Sequence, residues 1–119
     1  MNKSLPSLVV FASGHGTNFK ALCEAIENKQ LMAHISALVT NVKEAPVIKV
    51  AQQFNIKVFE IPHTNHTRAS HEAEILKALE QLEIDWIILA GYIRLFTAEF
   101  VQKFWDPTLK VARIINIHP

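Results

Sequence analysis

Leu8-Val9-Val10-Phe11-Ala12-Ser13-Gly14-His15-Gly16-Thr17-Asn18 is the stretch on which the fold turns. Leu8 to Ala12 form an unbroken apolar run, the pattern of a strand buried on both faces rather than one with a wet side. Ser13 to Asn18 read as a turn, and two of the chain's three glycines lie there. Phe19, Leu22, Cys23 and Ile26 follow at the i, i+3, i+4, i+7 spacing of one helix face. A buried strand that turns tightly into an amphipathic helix is the opening of a βαβ unit.

The same alternation continues outward. Ile35 to Thr40 reads as a second strand, and Val47, Val50, Ala51 and Phe54 as a helix face, with Pro46 near the helix start, where its missing N–H does little harm. Val58 to Ile61 predicts a third strand and His63 to Thr67 a polar loop. The segment 68–82 predicts a helix with Ala69, Ala73, Leu76 and Leu79 on one side. Trp86 to Ala90 predicts a fourth strand, Gly91 to Phe96 a connection, and Thr97 the cap of a helix over Ala98 to Trp105. Ile114 to Pro119 predicts a fifth strand that turns polar at its tip. The expected architecture is α/β: a Rossmann-like parallel sheet with helices on both faces, joined by right-handed crossovers. Ligands in such sheets sit beyond the carboxyl ends of the strands. Function is therefore to be sought at Ser13 to Asn18, Thr40-Asn41, Pro62-His63, Gly91 to Phe96 and Asn116 to His118.

Composition narrows the function classes. The 119 residues suit one domain; half are hydrophobic and 19% are charged, an ordinary balance for a folded chain. A net charge of +1 supplies no general field toward nucleic acid or an anionic membrane, so any anion must be held locally. No apolar run approaches a membrane span, and Cys23, the single cysteine, excludes an internal disulfide. A cytoplasmic protein acting on small molecules, without nucleic-acid or membrane partners, is the expectation. His63, His66 and His71 lack the cysteine or carboxylate pattern that would complete a zinc site, so no metal is expected, and they read as exposed polar residues. Trp86, Trp105 and the phenylalanines read mostly as core.

Three constellations carry chemistry. In Ser13 to Asn18, glycine allows close backbone approach to a ligand, and the helix that follows aims unpaired N–H groups outward, which suits a phosphate. Thr17 and Asn18 add side-chain donors; Phe19 stands where a dinucleotide fingerprint needs a third glycine, and no Gly-Lys-Ser/Thr is present, so the loop suits a single phosphate group. A tight turn with a Thr or Asn cap fits the same residues. In Asn116-Ile117-His118-Pro119, residues two apart share a strand face, so Asn116 and His118 point together, with Ile114 and Ile117 packing elsewhere. An imidazole can move protons, and an amide can donate to an oxyanion. A solvated strand end fits as well. In Ala90 to Phe96, apolar residues around Arg94 occupy a connection, which suits a lined pocket as well as ordinary loop packing. Arg68 opens a helix against its dipole, hinting at a task other than helix stability.

Together these blocks resemble the folate-dependent glycinamide ribonucleotide (GAR) transformylases along essentially the whole chain. The matching segments are Val-Val-Phe-Ala-Ser-Gly-His-Gly-Thr-Asn at 9–18, Leu-Ala-Gly-Tyr-Ile-Arg-Leu-Phe at 89–96 and Ile-Asn-Ile-His-Pro at 115–119, in matching order. The resemblance implies a formyltransferase fold truncated after the fifth strand, with residues 1–119 forming the N-terminal portion of a catalytic domain. It implies formyl transfer from 10-formyltetrahydrofolate, a co-substrate, to the amine of GAR in purine biosynthesis, by a monomer or homodimer. Gly16, Thr17 and Asn18 would hold the GAR phosphate. Arg68, Ile93, Arg94, Leu95, Phe96 and Asn116 would line the folate site. Asn116 and His118 would be catalytic, stabilising the oxyanion of a tetrahedral intermediate, with His118 shuttling protons.

The chain departs from the family pattern twice. The segment Trp105 to Arg113 is longer than the family norm, which should only alter a loop. The family also continues past His-Pro with Ser-Leu-Leu-Pro and a later catalytic Asp that holds the His pKa high, and no residue here matches that Asp. On this resemblance the 119-residue chain alone is expected to be inactive or nearly so. Formyltetrahydrofolate deformylase and methionyl-tRNA formyltransferase share the Asn-x-His-Pro strand. The Ser-Gly-x-Gly-Thr-Asn loop favours GAR transformylase over the tRNA enzyme, and Met1 leaves no room for the regulatory domain a deformylase carries in front. A non-catalytic phosphate-binding α/β module is the remaining alternative.

Overall fold

β1 (Ser7–Phe11) is buried along its whole length and lies at the centre of a five-stranded parallel sheet. The computed structural model describes residues 5–117. Its elements run α1 (Thr17–Glu27), β2 (His34–Thr40), α2 (Val47–Gln53), β3 (Val58–Glu60), α3 (Arg68–Leu79), β4 (Trp86–Ala90), α4 (Ala98–Gln102), β5 (Trp105–Asp106), β6 (Val111–Ala112) and β7 (Ile114–Ile117). The sheet order is β3-β2-β1-β4-β7, all parallel. The chain winds from β1 outward to β3, then returns past β1 to β4, so the strand order reverses between β1 and β4. A crevice forms at the carboxyl ends of the strands at such a reversal.

Side-chain alternation along β1 builds two cores. Leu8, Val10 and Ala12 face Phe19 and Cys23 of α1 and Val47 and Ala51 of α2. Val9 and Phe11 face Ile75 and Leu79 of α3 and Phe100 of α4. Each face thus carries a helical layer, as the apolar runs require. Among the described residues, no helix is long and apolar enough to cross a membrane.

Several expectations need correction. Helix α3 buries His71, Glu72, Ile75 and Leu79, whereas Ala69 and Ala73 are exposed and Leu76 is half-buried. The alanine stripe competes with a stripe of larger side chains, and the larger stripe gains more by leaving water. His71 is therefore core rather than exposed, and its Nε2 lies 2.6 Å from the Ile61 carbonyl oxygen. The segment after α4 is no plain loop. It forms a hairpin in which Trp105 pairs with Ala112 and Asp106 with Val111, held by an Asp106–Arg113 ion pair. That hairpin leaves Trp105 45% exposed, not core. In β7, Ile114 joins the α3/α4 core while Ile117 packs on the α1/α2 side, so Ile114 shares the face of Asn116.

Candidate active site

Ala12 and Ser13 continue the backbone bonding of β1, Ala12 N–H to the Val39 carbonyl and Ser13 N–H to the Gly91 carbonyl, and lead into the first functional loop. Gly16 adopts φ +85° and starts α1 with no side-chain cap. A Cβ on Gly16 would lie 2.5 Å from Val47 Cγ2, so only glycine lets this loop close on α2. The Gly14 carbonyl accepts from the Val47 N–H at 3.0 Å, fixing the loop on the α2 N-terminus. Thr17 is exposed and Asn18 half-buried, in the first turn of α1, where helical geometry leaves backbone N–H groups without intrahelical acceptors. The loop can therefore present donors to an anion.

Beyond β4, Gly91 takes φ +77° and the chain runs to Thr97 without regular structure. Ser13 grips its start. The Ser13 N–H donates to the Gly91 carbonyl (3.1 Å), and Ser13 Oγ accepts from the Ile93 N–H (2.9 Å). Glu72, buried in α3, grips its end by accepting from both the N–H and the hydroxyl of Thr97. Thr97 Oγ1 in turn accepts from the Phe100 N–H and caps α4. Between these anchors, Ile93 and Leu95 are 71% and 75% exposed, while Arg94 is half-buried. Phe96 differs from its neighbours: it is half-buried and stacks on Phe100 at 4.1 Å, with Phe11 edge-on at 5.5 Å. It seats the loop on the core, and Ile93 and Leu95 are the side chains offered outward.

Tyr92 also packs edge-on against Phe11, at 5.1 Å, but its hydroxyl is buried without a hydrogen-bond partner among the described residues. Burial pushes its phenol well above the usual range, Arg94 opposes the shift, and Glu72 adds to it. Burial likewise holds His71 below the ordinary imidazole range; its bond to the Ile61 carbonyl opposes this, and the charges of Arg94, His66 and His63 reinforce it. His71 is accordingly a neutral core group, T-shaped to His63 at 6.2 Å.

The carboxyl ends of the strands are tied by a buried polar chain. Ser13 Oγ donates to Asn41 Oδ1 at 2.5 Å, and Asn41 Nδ2 lies 3.0 Å from His63 Nδ1. These residues follow β1, β2 and β3, and Ser13 also reaches the connection after β4. Asn116 pairs in register with Leu89, and Ile117 with Ala90, so Asn116 stands at this same end of the sheet and is exposed. His118 lies outside the described residues. Arg68 is the exposed first residue of α3. The sequence located the strand-end loops but gave no sign of Glu72, because its partner Thr97 is 25 residues away and no local spacing links them. Among the described residues, no group of three or more His, Cys, Asp or Glu could hold a metal ion.

Comparison with known proteins fits this geometry. The family model described as Formyl transferase matches residues 7–119. Phosphoribosylglycinamide formyltransferase of Bacillus subtilis (strain 168) is 34% identical over 116 residues, an alignment covering 97% of this chain and 56% of the relative. The crystal structure of glycinamide ribonucleotide transformylase 1 from Geobacillus kaustophilus superposes with a TM-score of 0.83 at 37% identity, covering 97% of this chain and 58% of that one. Phosphoribosylglycinamide formyltransferase from Brucella melitensis gives 0.85 at 33% identity, covering 97% and 57%. The chain spans somewhat more than half the length of these relatives. With strand order, strand-end loops and the family match in agreement over nearly all its residues, the chain belongs to the formyl transferase family.

Proposed function

We propose that this chain carries the phosphate-binding and folate-facing part of a phosphoribosylglycinamide formyltransferase, which moves a formyl group from 10-formyltetrahydrofolate to the amine of GAR in purine biosynthesis. One observation carries the reading. A loop built to present N–H donors and a loop presenting apolar side chains beside a cation follow the carboxyl ends of the neighbouring strands β1 and β4 and are joined by Ser13. The names of the relatives support formyl transfer and its phosphoribosylglycinamide acceptor, and the resemblance supports the folate donor.

In this reading Gly16, Thr17 and Asn18 hold the nucleotide phosphate through backbone N–H groups and two polar side chains. Ile93 and Leu95 offer exposed apolar surface, with Arg94 beside them and Arg68 at the start of α3. That donor set fits a co-substrate with an aromatic ring system and an anionic tail. The formyl folate supplies a transferable one-carbon unit at the oxidation level of an acyl group. Asn116 donates its amide N–H to the negative charge that builds on the formyl oxygen, and its loss would cost roughly 3–4 kcal/mol of barrier lowering. As the GAR amine bonds to the formyl carbon and the bond from that carbon to the folate nitrogen breaks, His118 would carry the proton the amine loses to the leaving folate nitrogen.

Titration of the chain with GAR and, separately, with a 10-formylfolate analogue tests the reading, followed amide by amide in NMR spectra. GAR should move the resonances of Gly16, Thr17 and Asn18, with inorganic phosphate competing. The folate analogue should move those of 93–96. GAR binding that leaves 16–18 untouched defeats the reading. Formyl transfer measured against formyl-folate hydrolysis separates a transferase from a deformylase.

A further inference from the structure

We propose that Ser13 and Asn41 are positioning residues that couple the phosphate loop to the folate-facing loop; the proposal rests on the assignment of Gly16, Thr17 and Asn18 to a phosphate. Both residues are all but fully buried, at 5% and 1% exposure, and neither belongs to the set assigned to ligand contact. A hydroxyl has one proton to give. Ser13 commits that proton to Asn41 Oδ1, which leaves Oγ facing the Ile93 N–H as acceptor. Asn41 is itself oriented by His63: its Nδ2 lies 3.0 Å from His63 Nδ1, so its oxygen is the atom left for Ser13. That orientation requires the ring proton on Nε2, so that Nδ1 accepts from the Asn41 amide; an Nδ1–H ring would instead donate to the Asn41 backbone carbonyl, also 3.0 Å away.

The other end of the linkage is stiff. Val47 N–H holds the Gly14 carbonyl, and Val47 closes against Gly16, so residues 14–16 rest on α2. A phosphate that rigidifies 16–18 therefore further rigidifies the clamped segment back to Ser13, and Ser13 holds two points of the next loop, the Gly91 carbonyl and the Ile93 N–H. Ile93 is one of the two outward-facing apolar side chains, so occupancy of the phosphate loop is passed to the surface that receives the co-substrate. Coupling of this kind is reciprocal: the co-substrate must raise phosphate affinity by the same factor.

Hydrogen exchange of single amides in the chain, with and without saturating inorganic phosphate, reads the coupling directly. Phosphate should slow the Ile93 amide by about fivefold, the low end of ordinary coupling between sites. The Thr97 amide, held by Glu72 and not by Ser13, should stay unchanged and serves as an internal reference. Ser13→Ala and Asn41→Leu should abolish the Ile93 response, while Ser13→Thr, which keeps Oγ, should restore it. A purely structural role would raise exchange generally, without this dependence on ligand. Phosphate that moves the 16–18 resonances in the wild-type chain but leaves Ile93 exchange unaltered overturns the proposal even if no variant folds. So does a full response in Ser13→Ala. Phosphate that leaves 16–18 unmoved removes the functional reading, and the proposal falls with it.

Discussion

Replacing each glycine by alanine should grade the loops by how much each depends on having no side chain. At Gly16 the new Cβ would meet Val47 Cγ2 at 2.5 Å, Val47 Cβ at 2.9 Å and Val47 Cα at 3.1 Å. Two of these atoms belong to the stem of a fully buried side chain or its backbone, and Val47 N–H is bonded to Gly14, so α2 has little room to retreat. Overpacking of this kind costs about 1–3 kcal/mol. The φ of +85° adds roughly 1–2 kcal/mol for a residue with a Cβ. Alanine recovers about 0.4–1 kcal/mol by restricting the unfolded chain. The net is about 2–4 kcal/mol, or a melting temperature lower by roughly 8–16 °C at about 4 °C per kcal/mol for this size. At Gly91, φ is +77° but the space is open, so Gly91→Ala should cost about 1 kcal/mol or less. At Gly14 neither obstacle exists, and Gly14→Ala should be neutral or stabilise by up to about 1 kcal/mol. Urea unfolding followed by tryptophan fluorescence measures all three. If Gly16→Ala unfolds with the same midpoint as Gly14→Ala, the picture of a loop clamped on Val47 is wrong.

Tyr92→Phe removes a buried hydroxyl that has no partner among the described residues, so it should be neutral or stabilise the fold by about 1 kcal/mol in the same unfolding assay; a loss above that size would show that the hydroxyl is bonded in solution. His71 has a folded pKa below its ordinary value of 6.5, so the unfolded chain binds the proton first as pH falls; stability is complete above about 6.5 and declines as pH drops toward the folded value. His71→Phe should flatten that part of the stability–pH profile. Cys23 is buried, and burial with the nearby Glu27 pushes its thiol to about 11, so the native chain at pH 8 should resist alkylation until urea unfolds it; rapid labelling without denaturant would contradict the packing of α1. Asp106 is held below the usual carboxylate range by the Leu109 N–H first, and then by Arg113 and the Thr108 N–H. Its contribution is present above the ordinary value of 3.8 and lost as pH falls through the lowered one, so Trp105 fluorescence should change only in strong acid, and Asp106→Asn should remove that transition.

The sequence by itself determined the parallel sheet. Leu8 to Ala12 and Trp86 to Ala90 are apolar without interruption, which only a strand covered on both faces can satisfy, and the helical spacing between the runs supplies the covers. It also located the strand-end loops, because glycine and polar residues punctuate the alternation there. Tertiary structure decided what no local pattern encodes. Which stripe of α3 turns inward depends on the space opposite it, and that space takes His71, Glu72 and Ile75 rather than the smaller alanines. The hairpin of Trp105 and Val111 is too short to leave a periodicity, and its Asp106–Arg113 pair shows only when the chain folds back. The links Ser13–Ile93 and Thr97–Glu72 span 80 and 25 residues, so they exist only because the sheet carries distant segments to one end. Local spacing dictates which residues share a face; which faces meet is settled by the packing of the whole chain.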